Sequence, residues 1–144
     1  RVTYQDACHL AHAQRITKQP RDLLKAIPGL TLVEMQESSL CCGSAGVYNI
    51  TQPEMSGRLM TRKAGHALAT EPEIVVSGNP GCMIQLASGL QRAGAEGIKV
   101  RHVVELLDES YRRAEGAGTR RRIAADRRLP RRGRRADPIH EAAD

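Results

Sequence analysis

Four side chains stand out chemically: Cys8, Cys41, Cys42 and Cys82 are the only cysteines in the chain. Thirty-two residues separate Cys8 from Cys41, and thirty-nine separate Cys42 from Cys82. Converging thiols can form disulfides, hold zinc, exchange electrons as thiols, or ligate an iron–sulfur cluster. Disulfides fit poorly, because nothing in the sequence points to export and thiols stay reduced in the cytosol. Zinc sites favour paired Cys-x-x-Cys knuckles, and none occurs here. Adjacent cysteines are awkward around one tetrahedral ion but can reach different irons of a cluster. The plainest alternative is four buried cysteines acting as small apolar residues.

Whether these thiols meet depends on the elements between them. Val2–Asp6 reads as a short strand ending just before Cys8. Pro20 suits the first turn of a helix over Arg21–Ile27, stopped by Pro28-Gly29. Leu30–Met35 alternates as a strand, and the glycines of Leu40–Gly46 mark a loop. Thr51 with Glu54 has capping-box spacing and opens a predicted helix to Thr70. Glu73–Ser77 is an apolar run suited to a buried parallel strand. Gly78–Cys82 turns into a helix over 83–93, Ile98–Val100 forms a fourth strand, and Val103–Arg113 a last helix. Alternating strands and helices predict an α/β fold, a small parallel sheet with helices on both faces. All four cysteines then follow the carboxyl ends of strands, the edge where such sheets bind ligands.

Other groups compete for roles. His9 and His12 follow Cys8, where His9 can donate to a sulfur, ligate or carry a proton, or simply bond within its loop. Asp6 is placed to orient either histidine or to cap a turn. His102 precedes the last helix, and His66 is expected in solvent. Tyr48 is a candidate cover for the site, and the four methionines are expected to fill the core. No paired carboxylates, phosphate loop or Ser/His/Asp signature is present.

Length and charge set the bounds. The chain has 144 residues, a net charge of +6 and 40% hydrophobic residues, with Tyr4, Tyr48 and Tyr111 its only aromatics. So few rings argue against single-strand binding by base stacking. Residues 119–144 carry nine of the 22 basic side chains, leaving 13 basic against 12 acidic in residues 1–118. The basicity thus belongs to an Arg-rich end, expected to be a disordered tail because it has too little apolar surface to fold. We expect two parts, 1–118 as a domain and 119–144 as this tail, and no nucleic-acid partner. The chain opens in a strand already under way, as a piece of a longer subunit would. No apolar run is long enough to span a membrane, and Arg1-Val2-Thr3-Tyr4 does not read as a secretion signal.

Cys8, Cys41-Cys42-Gly43 and Cys82 resemble the cysteine-rich CCG domain found in heterodisulfide reductase and in several iron–sulfur subunits. Asp6–His12, Cys41–Asn49, Gln52–Met55 and Gly78–Cys82 narrow the resemblance to the second, carboxyl-terminal CCG module of the glycolate oxidase iron–sulfur subunit. The resemblance covers residues 1 to about 113. It implies a 4Fe-4S cluster on Cys8, Cys41, Cys42 and Cys82, supported by His9, Gly43, Asn79 and Gly81. It also implies partners: a flavin subunit carrying FAD, and the remainder of the iron–sulfur subunit with its ferredoxin-like clusters. Electrons from a 2-hydroxy acid would pass toward a membrane acceptor, with the complex in the cytoplasm, in contact with the inner face of the membrane. In the heterodisulfide reductase type the last motif is Cys-x-x-Cys. Asn79 stands at its first position here, leaving four thiols rather than the five of a non-cubane cluster. A metal-free docking module and a structural zinc domain are the alternatives.

Overall fold

The computed structural model describes the backbone of residues 1–126 and the side chains of residues 1–117. It divides into two units, Arg1–Tyr111 and Arg112–Asp144. The first unit is the α/β body. Its strands are β1 (Val2–Gln5), β2 (Leu32–Glu34), β3 (Ile74–Ser77) and β4 (Lys99–His102), all parallel, in the order β2-β1-β3-β4. The helices are α1 (Lys18–Lys25), α2 (Tyr48–Thr51), α3 (Pro53–Leu68), α4 (Pro80–Arg92) and α5 (Val103–Asp126). A π-helical turn, His9–Ala13, follows Cys8.

Strand alternation decides the two faces of the sheet. Val2, Tyr4 and Val76 pack with Leu24 of α1 and with Val103 and Leu106 of α5. On the other face, Val75 packs with Met35, Ala67 of α3, and Leu86 and Leu90 of α4. With helices on both faces, β1 is buried along its whole length, as expected of a strand in a covered parallel sheet.

The order of strands explains why ligands should collect at one place. From β1 the chain moves outward to β2, then crosses back past β1 to β3. The connections leaving β1 and β3 therefore diverge, and divergence opens a crevice at the strands' carboxyl ends.

The expected helix from Thr51 to Thr70 is broken. Thr51 closes α2, where its hydroxyl donates to the Val47 carbonyl, and α3 starts afresh at Pro53 with Gln52 before it. No Thr51–Glu54 capping box forms, although Glu54 still lies in the positive first turn of α3. α4 starts at Pro80, so Cys82 lies inside its first turn rather than in the preceding loop.

α5 runs to Asp126, past the expected end near Arg113. Ala and Arg are good helix formers, and Pro130 is the first strong breaker after it. The expectation of a structureless tail from Thr119 thus meets helical backbone as far as Asp126. The rest of that expectation, residues 127–144, lies outside the described residues. Among the described residues, no helix is long and apolar enough to cross a membrane.

Candidate functional site

The four thiols are brought to one crevice by three connections. Cys8 follows β1, Cys41-Cys42 ends the connection from β2, and Cys82 sits at the start of α4 after β3. Together they line a cavity of about 310 Å³, with His9, Asn79 and Gly81 also in its wall and Ser44–Gly46 at its side. Cys42 and Cys82 are buried, whereas Cys8 and Cys41 are partly exposed. Among the described residues no three His, Cys, Asp or Glu side chains converge on a point suited to one metal ion. The thiols surround a volume instead.

Backbone dipoles are already turned toward sulfur. The Gly43 amide donates to Cys41 Sγ at 3.3 Å, and Gly43 itself takes a left-handed turn, φ +92°. Cys42 is held down to about pKa 6, first by a hydrogen bond from the Cys82 thiol and then by the amides of Ser44 and Cys42 and the charge of Lys63, against the opposing effect of burial. The Cys82 thiol, as donor in that pair, is pushed up, and burial adds to the effect. Burial, followed by the neighbouring Cys41, raises Cys8.

Asn79 has a clear structural task. Its side-chain oxygen accepts from the Cys82 amide at 3.1 Å, capping α4. Asn79 thus sets the helix turn that carries Cys82. Gly81 has little room: a Cβ there would stand 3.1 Å from Ser44 Oγ and 3.2 Å from Asn79 Oδ1.

Several expected roles change. Gly43 keeps its supporting part through its amide on Cys41, but it is not in the cavity wall and packs against Ser56 of α3. Asp6 orients no histidine; it is buried in a two-pronged ion pair with Arg21, at 2.7 and 3.0 Å. Arg21 also bonds Glu34 and Ser38 and lies 5.1 Å over the Tyr4 ring. It thereby ties β1, β2 and the turn before Cys41 together. His12 Nε2 meets the Ser39 carbonyl at 3.0 Å. His102 ends β4, and its Nδ1 accepts from the Val104 amide. His66 is partly exposed, as expected, and meets the Glu37 carboxylate at 3.0 Å. Tyr48 opens α2 and is not in the cavity wall. Met35 and Met60 fill the core, whereas Met55 is exposed.

One helix supports the cysteines from below, and sequence reasoning missed the parts that Ser56 and Lys63 play in it. Ser56, Met60, Lys63, Ala64 and Ala67 form the buried face of α3. Ser56 Oγ donates to the Gly43 carbonyl at 2.8 Å, and Lys63 donates to the carbonyls of Glu37 and Ser38. The signal was present in the spacing, since Ser56, Met60 and Lys63 recur at helical intervals, but a lysine in that stripe reads as a solvated charge. The Tyr4 hydroxyl is a further surprise. It is buried without a partner close to Gly78, and burial followed by Asp6 pushes it up to about pKa 12.

Residues 2–87 match the CCG cysteine-rich domain. The chain belongs to that family. It is 43% identical over 110 residues to the probable glycolate oxidase iron-sulfur subunit of Bacillus subtilis, covering 76% of this chain and 25% of that protein. It is 37% identical over 111 residues to a fumarate reductase (CoM/CoB) subunit of Methanothermobacter marburgensis, covering 77% and 23%. Lactate utilization protein A of Oceanobacillus iheyensis is 32% identical over 108 residues, covering 75% and 44%. The CCG domain thus spans less than half the length of each of these relatives. No solved structure matches the chain.

Proposed function

We propose that this CCG domain is an iron–sulfur-binding part of an oxidoreductase subunit, with Cys8, Cys41, Cys42 and Cys82 holding a 4Fe-4S cluster. The observation that carries the reading is the gathering of all four thiols around one cavity of about 310 Å³. The donor set fits the group: four thiols enclose a volume, and vicinal thiolates can serve different irons. When bound there, such a cluster supplies one-electron transfer.

The chain's own residues do the holding and shielding. The Gly43 amide directs its dipole at Cys41, and the first turn of α4 places its positive end beside Cys82. Asn79 fixes that turn, and His9 stands in the wall beside Cys8. The names of the relatives support an assembly of the glycolate oxidase type. In it a partner flavin subunit oxidises a 2-hydroxy acid, and electrons leave through this subunit toward a membrane acceptor at the cytoplasmic face.

The test is iron, zinc and acid-labile sulfide per chain in protein purified without oxygen. The expected result is about four irons and four sulfides, the content of one 4Fe-4S cluster, with iron reduced in Cys41→Ser and Cys82→Ser. Unchanged iron in both variants would sink the assignment. One zinc per chain in place of iron would make the domain structural.

A further inference from the structure

Lys63 is fully buried on the inner face of α3. A buried ammonium is costly unless an opposite charge accompanies it. Its Nζ donates to two carbonyl oxygens, of Glu37 and, at 3.2 Å, of Ser38. Neither carries a full charge. The carboxylate of Glu37 is engaged by Arg62 and His66, and that of Asp6 by Arg21. Among the described residues no ion pair joins Lys63 to a carboxylate.

The two carbonyls belong to the turn that leads directly into Cys41-Cys42. That turn is built under constraint: Glu37 takes a left-handed conformation, φ +52°, which an ordinary residue adopts only when its surroundings require it. Seven residues earlier on the same face of α3, Ser56 grips the Gly43 carbonyl. The helix thus holds the segment that carries the thiol pair at both ends, with Lys63 on the turn before it and Ser56 on the glycine after it. Burial lowers the proton affinity of Lys63, and the sulfur of Cys42 leads the influences that restore it, ahead of Glu37, Asp6 and Cys41.

We propose that Lys63 is the fixed counter-charge of the cysteine site, holding the turn before Cys41-Cys42 and offsetting the negative charge that thiolate ligands bring to the cavity. This role rests on the cluster reading above. A fixed cation in a low-dielectric interior favours the electron-richer state of whatever the thiols bind. Lys63 is thus a positioning residue that also sets a potential.

The experiment is a redox titration, followed by electron paramagnetic resonance, of the full chain loaded with iron and sulfide without oxygen. Wild type is compared with Lys63→Met, Lys63→Gln and Lys63→Arg. The neutral variants are expected to titrate at more negative potential than wild type, and Lys63→Arg to stay near it. Neutral variants at the wild-type potential would overturn the proposal, as would an arginine variant displaced as far as they are. Lys63→Gln retains amide donors for the two carbonyls and carries the test if Lys63→Met does not fold. Wild-type protein that takes up no iron would instead sink the cluster reading. The counter-charge role would fall with it.

Discussion

Gly43 has the least room of the described glycines. It needs a left-handed backbone, and a Cβ would lie 2.6 Å from the Ser56 carbonyl oxygen, a backbone atom that cannot swing away. Strained non-glycine conformations alone cost roughly 1–3 kcal/mol. Gly43→Ala is therefore expected to destabilise the domain by at least about 2 kcal/mol, the clash adding to the strain, as read by urea denaturation. Cys42 makes a second prediction at this scale, about pH. Its folded-state pKa, about 6, lies below the ordinary thiol value of 9.0, so between those values the unfolded chain binds the extra proton. Stability of the metal-free protein is then expected to rise from pH 6 toward 9 and to be lost as pH falls through 6. Cys82 acts in the opposite sense above pH 9, because its pKa is raised. Thermal melts across this range, in wild type and Cys42→Ala, check the slope: it should flatten in the variant.

At the scale of elements, α3 links core and site. Its inner face packs on the sheet through Ala67 and grips the cysteine loop through Ser56 and Lys63. It also admits α4 closely at Gly89, where a Cβ would stand 2.9 Å from Met60 Cγ and 3.2 Å from Ala64 Cβ. A large side chain there must part the two helices that carry the supports of Cys42 and the backbone of Cys82. Gly89→Leu is expected to cost about 1–3 kcal/mol, the usual penalty for overpacking, and to lower iron content as well. Denaturation and iron analysis on the same preparation check both effects. α3 also shows where local signals mislead. Thr51 and Glu54 have the right spacing for a cap, yet Thr51 is already used at the end of α2. Tertiary placement of the loop before it outweighs a capping preference of about 1 kcal/mol.

The whole molecule separates into a body and a basic end. Among the described residues, the apolar contacts of α5 with the sheet are made through Val103, Leu106 and Leu107, before residue 111. Deleting residues 119–144 is therefore expected to leave iron content intact and the thermal midpoint within about 4 °C of wild type, the shift that about 1 kcal/mol produces. Retention on a polyanion column should fall, since nine arginines leave with the segment. A larger drop in midpoint would show that the basic end supports the body.

Much of this was readable from residue types alone. Alternating apolar strands and helices with Gly and Pro at their ends specify an α/β body, because each pattern states which face must be buried. Cys8, Cys41-Cys42-Gly43 and Cys82, each after a strand, specify the candidate site. The tertiary structure decided the rest. Strand order β2-β1-β3-β4 depends on which edges pair, and no local pattern encodes it; yet that order opens the crevice where the thiols meet. Asp6 with Arg21, Asn79 with the Cys82 amide, and Lys63 with the turn at Glu37 are likewise legible only in three dimensions. Each is a polar group whose partner lies elsewhere in the fold or only in the local backbone turn, and a sequence records the group without its partner.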